Sequence, residues 1–474
     1  MSIKQEMLKG LMWSAIEKYS GILISLIVTA ILARLISPED FGIISVATVI
    51  INFLNIFTTM GIFPAIIQRK DLSEKDLDSI FTFSIICGII LSSIFFFSSY
   101  FIADFYKNDT IKSICQLLSI NLFFLSVNLV PSALMARNKK FKNIAQRTLT
   151  LQIISGVISV TAAYNGMEVY ALTISPITTA IGMFCFNLYY YPRHIDWNLN
   201  IKPLKKIFSY SIFQFLFELI NYFSRNLDKL IIGKYLNMRD LGYYDKSYRL
   251  MMLPLQNVTS VITPVMQPVL SSLQDNKADM AAKYNRIIQL IATISFPIAV
   301  FIYFSAFEII NIVYGNNWNQ AIPTFQILSL SLPLQMILST SGSIFQASNA
   351  TKSLFLVGLQ TTTITITGFI LATIIYGTIN AIAWSWVITQ IFCFIISYVI
   401  LYRKVLKSSI LRMLTTLKYP FINSLILSIV LYISIDWNID NIFISLFIKL
   451  SISIIITIIT LLLFKQYKLF IPQK

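Results

Sequence analysis

The chain has 474 residues, of which 56% are hydrophobic and 12% charged, and its mean hydropathy is +0.73. A soluble protein carries about 25% charged residues, so a water-soluble globular fold is excluded. The formal charge of +16 is spread over short loops rather than gathered on one domain, which argues against nucleic acid as a partner.

Crossing the hydrocarbon takes about 20 apolar residues per helix. In chain order, qualifying segments centre near Ile22, Ile51, Ile90, Phe123, Ile154, Thr178, Leu219, Val261, Ala299, Ser331, Ile366, Val387, Leu427 and Ile454. The runs are continuous, without the alternation of barrel strands. They predict an all-α polytopic membrane protein with about 14 transmembrane helices. The first segment is too long for a signal-peptide core and no A-x-A site follows it, so it reads as a retained helix. Cys87, Cys115, Cys185 and Cys393 lie in apolar segments without C-x-x-C spacing and read as small apolar fillers.

Lys and Arg concentrate on alternate loops. With both termini placed in the cytoplasm, the opposite side holds Arg34, Lys107, Lys112, Lys234, Arg239, Lys246 and Arg249. Nearly all the rest, Arg137, Lys139, Lys140, Lys142 and Arg147 among them, fall on the cytoplasmic side. This asymmetry favours an even number of spans with both ends inside. The basic loops are suited to rest on anionic membrane lipids.

One register repeats at an offset of 200. A-R-L-I-S-P-E-D-F-G over Ala33–Gly42 matches G-K-Y-L-N-M-R-D-L-G over Gly233–Gly242. Asp40 falls on Asp240, Gly42 on Gly242, Thr59 on Thr259 and Pro64 on Pro264. Each copy sits between two apolar segments. The expected organisation is therefore two pseudo-symmetric six-helix lobes, 1–195 and 196–410, with two additional helices over 411–474. Lobes of six spans would be related by an axis along the membrane normal, as in transporters that rock two halves around a central site. Pro64 and Pro264 suit paired hinges.

An ionisable group at a helix centre costs about 2.5–3.5 kcal/mol, so it usually faces a cavity or a partner. The first span carries Glu17 and Lys18, and the seventh carries Glu218, Arg225, Asp228 and Lys229. Glu218, Tyr222, Arg225 and Lys229 share one helix face. That face either neutralises itself or lines a cavity for an anionic head group, to which the planar fork of Arg is suited. At offset 200 Lys18 aligns with Glu218, which suggests opposite charges that meet in one access state and part in another. Glu308 reads as an interfacial residue or a cation ligand, and Lys449 as snorkelling or reaching for a lipid phosphate.

His194 has no metal-binding cluster around it, and neither a P-loop nor a G-x-S-x-G elbow occurs. No sizeable outer loop is present to hold catalytic groups. The expectation is a protein that is not an enzyme and has no cofactor or metal.

Several stretches resemble the polysaccharide-transport branch, the Wzx/WzxC type, of the multidrug/oligosaccharidyl-lipid/polysaccharide flippase superfamily. They are A-R-L-I-S-P-E-D-F-G at Ala33–Gly42, I-Q-R-K-D-L-S-E-K-D-L at Ile67–Leu77, P-S-A-L-M-A-R-N-K-K-F at Pro131–Phe141, L-D-K-L-I-I-G-K-Y-L at Leu227–Leu236 and Y-G-N-N-W-N-Q-A-I-P-T-F-Q-I-L at Tyr314–Leu328. The resemblance implies two lobes around a cationic cavity. It implies export of an undecaprenyl-pyrophosphate-linked oligosaccharide across the bacterial inner membrane, driven by H+ or Na+. By analogy Lys18, Arg34, Arg225 and Lys229 would bind substrate, and Glu17, Glu218 and Asp228 would gate or couple ions. Asp228 and Glu218 make this cavity less cationic than the family pattern. The alternatives are a peptidoglycan lipid-precursor flippase, a small-molecule antiporter of the same superfamily, and a membrane glycan polymerase.

Overall fold

A computed structural model describes residues 3–59, 62–69, 71–196, 219, 222, 225–434, 437 and 439–469. Among these residues the regular structure is helical throughout, with no strand. The protein is an all-α polytopic membrane protein.

The first helices are α1 (Ile3–Leu35), α2 (Pro38–Thr59), α3 (Ile62–Gln68), α4 (Glu74–Tyr106), α5 (Asp109–Val127), α6 (Leu129–Arg137), α7 (Phe141–Tyr164) and α8 (Glu168–Tyr190). A helical stretch at 225–235 then leads into α9 (Met238–Ser271). Next come α10 (Lys277–Phe304), α11 (Ala306–Val313), α12 (Ala321–Ser329), α13 (Leu332–Leu338) and α14 (Ser341–Ala347). The last are α15 (Thr351–Tyr376), α16 (Ile379–Ile400), α17 (Ile410–Thr416), α18 (Lys418–Ile433) and α19 (Ile442–Leu463).

Among the described residues, 10 helices are long and apolar enough to cross a membrane, or up to 11 if the pair Ala321–Ser329 and Leu332–Ala347, bent by 47°, forms one span. This is fewer than the sequence count of about 14. The shortfall has local causes. Arg147, Gln152 and several Ser and Thr dilute the apolar run of α7. Asp240, Asp245, Lys246 and Arg249 do the same for the first half of α9. Most of the segment centred near Leu219, Glu218 included, lies outside the described residues.

The chain divides into two compact units, Met1–Gly242 and Tyr243–Lys474. In the first, Ile62 and Ile66 of α3, Ile80 and Phe81 of α4, and Val130 and Leu134 of α6 pack into one buried cluster. In the second, α10 packs against α13 and α18, and α12 against α16. Tyr284 and Tyr398 stack at 6.4 Å and share an OH–OH hydrogen bond of 2.8 Å, which ties α10 to α16. Leu23, Ile27, Phe97, Phe101, Ile455 and Leu462 are exposed, and this apolar outer surface is stable only in a lipid solvent.

Candidate functional site: buried charge and the paired helix starts

The repeated register is built as the same cap made twice. At the start of α2 the Ser37 hydroxyl donates to Asp40 Oδ2 at 2.7 Å, and the Asp40 N–H donates to Ser37 Oγ at 3.2 Å. Two hundred residues on, Asn237 Nδ2 donates to Asp240 Oδ2 at 2.9 Å, and the Asp240 N–H donates to Asn237 Oδ1 at 2.7 Å. Both cap a helix N-terminus with a short polar residue and a carboxylate three positions later. Burial pushes the Asp240 carboxyl above its ordinary value, while Asn237 and Arg239 act in the other direction.

The matched glycines explain themselves sterically. A Cβ on Gly42 would lie 1.8 Å from the Met238 carbonyl oxygen, and one on Gly242 would lie 1.8 Å from that of Pro38. Pro38 and Met238 are themselves 200 positions apart. The two helix starts therefore cross backbone on backbone, and each crossing admits only a residue without Cβ.

The predicted cavity residues fall into two groups. Lys18, Arg34 and Arg225 are exposed, whereas Glu17 is half-buried and Asp228 and Lys229 are buried. Lys18 Nζ lies 6.0 Å from the Tyr19 ring centre. Arg34 turns back along α1 and donates to the Ala30 carbonyl at 2.8 Å. Asp228 Oδ1 accepts the Lys229 N–H at 2.9 Å. Tyr222, on the face proposed for the seventh span, donates its hydroxyl to the Val49 carbonyl of α2. Glu218 lies outside the described residues, so its pairing with Lys18 remains a proposal.

Arg147, counted with the loop charges, stands inside a helix. It lies in the second turn of α7 and is only 8% exposed. Its Nη1 donates to Asn187 Oδ1 on α8, and Asn187 Nδ2 passes a 2.8 Å bond on to Asn128 Oδ1 at the α5–α6 junction. Nη2 reaches Thr148 Oγ1 at 3.4 Å, and buried Nε has no hydrogen-bond partner. The guanidinium feels the Glu17 carboxylate of α1 electrostatically. One neutral amide and one hydroxyl thus carry the direct hydrogen bonds of this cation. A usable signal was present in the sequence: Ala145, Ser155, Gly156, Ser159, Ala162 and Ala163 form a small-residue stripe at helical spacing. Extended backward, that stripe covers the turn bearing Arg147.

In the second unit, Glu308 is held differently from Arg147. Glu308 of α11 is 4% exposed, and its Oε1 lies 2.5 Å from Lys449 Nζ of α19. Ser445 Oγ donates to the same oxygen at 2.6 Å, and Lys449 also donates to the Phe304 carbonyl at 3.0 Å. The two residues whose roles the sequence left open are therefore partners across two helices. Neither was placed near the other by spacing, because 140 intervening residues separate them in the chain.

A family described as polysaccharide biosynthesis protein matches residues 31–323, more than half of the chain. The chain belongs to the polysaccharide biosynthesis protein family. Two relatives from bacteria match nearly its whole length. An "uncharacterized membrane protein in cps region" of Klebsiella pneumoniae is 26% identical over 433 residues, covering 90% of this chain and 88% of that protein. The "lipopolysaccharide biosynthesis protein WzxC" of Escherichia coli is 24% identical over 430 residues, covering 90% and 87%. Among solved structures, the lipid II flippase MurJ in its inward closed conformation superposes with a TM-score of 0.75 at 17% identity, covering 96% of this chain and 99% of that one. At that identity the likeness shows the fold alone. The family match starts within α1 and ends within α12, so it includes both helix starts, Arg147 and Glu308 but not Lys449.

Proposed function

We propose that this family member is a flippase for a lipid-linked oligosaccharide, carried on undecaprenyl pyrophosphate and destined for a surface polysaccharide. It would work by alternating access in a bacterial inner membrane, with both termini in the cytoplasm, and without enzymatic chemistry. The observation that carries the reading is the match over 90% of the chain to a lipopolysaccharide biosynthesis protein, together with family membership. The chemistry agrees. Moving a pyrophosphate through hydrocarbon requires cations held at membrane depth, and Arg and Lys supply donors for phosphate oxygens.

In this reading the lobes 1–195 and 196–410 rock against each other, and 411–474 supports the second. Lys18, Arg34, Arg225 and Lys229 meet the pyrophosphate, while Glu17, Glu218 and Asp228 gate or couple. Exposed Arg225 is open to a ligand. Buried Lys229 would need a change of state to reach one.

The test is translocation in proteoliposomes of defined lipid-pyrophosphoryl oligosaccharides, with a peptidoglycan precursor lipid in parallel. Oligosaccharide should reach the far leaflet faster than in protein-free vesicles, and Arg225→Ala should slow it about tenfold or more, the loss of one charge-assisted contact. Transport of the peptidoglycan precursor alone would replace the reading with the second flippase class. Unchanged transport in Arg225→Ala would remove that residue from the site.

A further inference from the structure

Helices α15 and α16 form an antiparallel hairpin in the second unit. A Cβ on Gly368 would lie 2.5 Å from Thr389 Cγ2 and 2.8 Å from Ser385 Oγ, so small residues let the two helices approach closely. The inner face of α16 is turned into the unit. Trp386 stacks on Phe369 and meets Tyr248 of α9, and Tyr398 stacks on Tyr284 of α10. The outer face of the hairpin carries an open groove. Its two halves share Thr363 and Ile364, and hold about 830 Å³ toward Trp384 and about 610 Å³ toward Ile400. Leu371, Ile388, Phe392 and Ile395 in its walls are each about half exposed. Walls of this kind belong in lipid, so the groove opens to the hydrocarbon.

One polar side chain breaks this surface. Gln360 lines the groove, is exposed, and hydrogen-bonds to none of the described residues. It lies about 14 Å along α15 from Thr351, inside the hydrocarbon and too deep for its short side chain to reach the head groups. The nearby Thr363 hydroxyl is spent on the Leu359 carbonyl at 3.0 Å. An amide has two donor hydrogens and an acceptor oxygen, and leaving them bare in hydrocarbon is costly. A lipid tail fills the groove without satisfying that amide. The fitting occupant brings donors and acceptors to the same depth, which points to another transmembrane helix.

We propose that this face of α15 docks a second copy of the chain, with the Gln360 amides of the two copies paired across a twofold axis along the membrane normal. Copies inserted the same way hold Gln360 at one depth by identity. Each amide then offers the donor and the acceptor that the other needs, and the contact is isologous. The pairing is independent of the transport reading, and its test reads association alone.

The measurement is subunit counting by stepwise photobleaching of the labelled full chain in vesicles, over a range of protein-to-lipid ratios. The wild type should bleach in two steps once chains are dense enough to meet. Gln360→Leu should need about tenfold more protein per lipid to pair, the loss of one interhelical amide contact. Leucine suits lipid, so this variant should still insert and fold as a monomer. Thr363→Trp fills the groove at its middle and should bleach in single steps at every ratio. In a chain with Cys87, Cys115, Cys185 and Cys393 replaced by alanine, Thr363→Cys should cross-link to itself through a short bis-maleimide. Phe307→Cys, at an exposed position elsewhere in the unit, should not. Single steps for the wild type at every ratio overturn the proposal and leave the groove to lipid. Pairing that survives both Gln360→Leu and Thr363→Trp overturns it too, as does equal cross-linking from positions 363 and 307.

Discussion

Arg147 of the first unit and Glu308 of the second are held in opposite ways, whereas the two helix starts 200 residues apart are built alike. In the second unit Glu308 and Lys449 form a direct ion pair between α11 and α19. In the first, Arg147 donates to the Asn187 amide and the Thr148 hydroxyl, Asn187 is backed by Asn128, and Glu17 acts electrostatically. A closed ion pair is a tie between helices. A cation held by neutral groups keeps more of its field than one in a closed pair. The helix starts show the reverse lesson. Where two backbones must cross, sequence has no freedom, and both copies keep cap, carboxylate and glycine.

The glycine crossing tests the likeness and carries the largest expected effect. Gly42→Ala and Gly242→Ala should each lose more than about 4 kcal/mol of stability, since neither carbonyl neighbour is a side chain that can swing away. Thermal unfolding in detergent would check it. A large loss in one and none in the other would mean the two crossings are not equivalent.

Charge removal tests the contrast. Lys449→Met should cost about 3–5 kcal/mol by stranding a buried carboxylate, and adding Glu308→Gln should recover most of it. Arg147→Met should cost less, about 1–3 kcal/mol, because it strands an amide acceptor rather than an ion. If it costs as much as Lys449→Met, Glu17 is a true ion-pair partner and the contrast fails. Transport should fall further in Arg147→Met than in Arg147→Lys, which keeps the charge. The smallest effect is expected for Glu17→Gln, under about 1 kcal/mol, because the carboxylate is half-exposed and works at a distance. A larger loss that salt fails to reduce would place Glu17 in the core of the site.

Legibility followed the range of the interaction. Asp40 and Gly42 were readable as a repeat because Asp240 and Gly242 match them at the same spacing, while the backbone each glycine meets lies about 200 residues away and was not readable. The class of the protein was readable too, since lipid as solvent marks every span. Arg147 was misread as a loop charge, because hydropathy averages over a window and one polar turn at a helix start looks like its end. Glu308 and Lys449 were each recognised as charges near or inside the membrane, yet neither spacing nor pattern joins residues so far apart.

By itself, the sequence determined the solvent, the helical class, the repeat at an offset of 200 and the family resemblance. All of these follow from local composition and short-range order. Only the tertiary structure decided which buried charge has an ion partner and which has neutral groups, and that the two glycines meet a backbone. Those outcomes depend on which helix faces pack together, and a linear pattern does not contain that pairing.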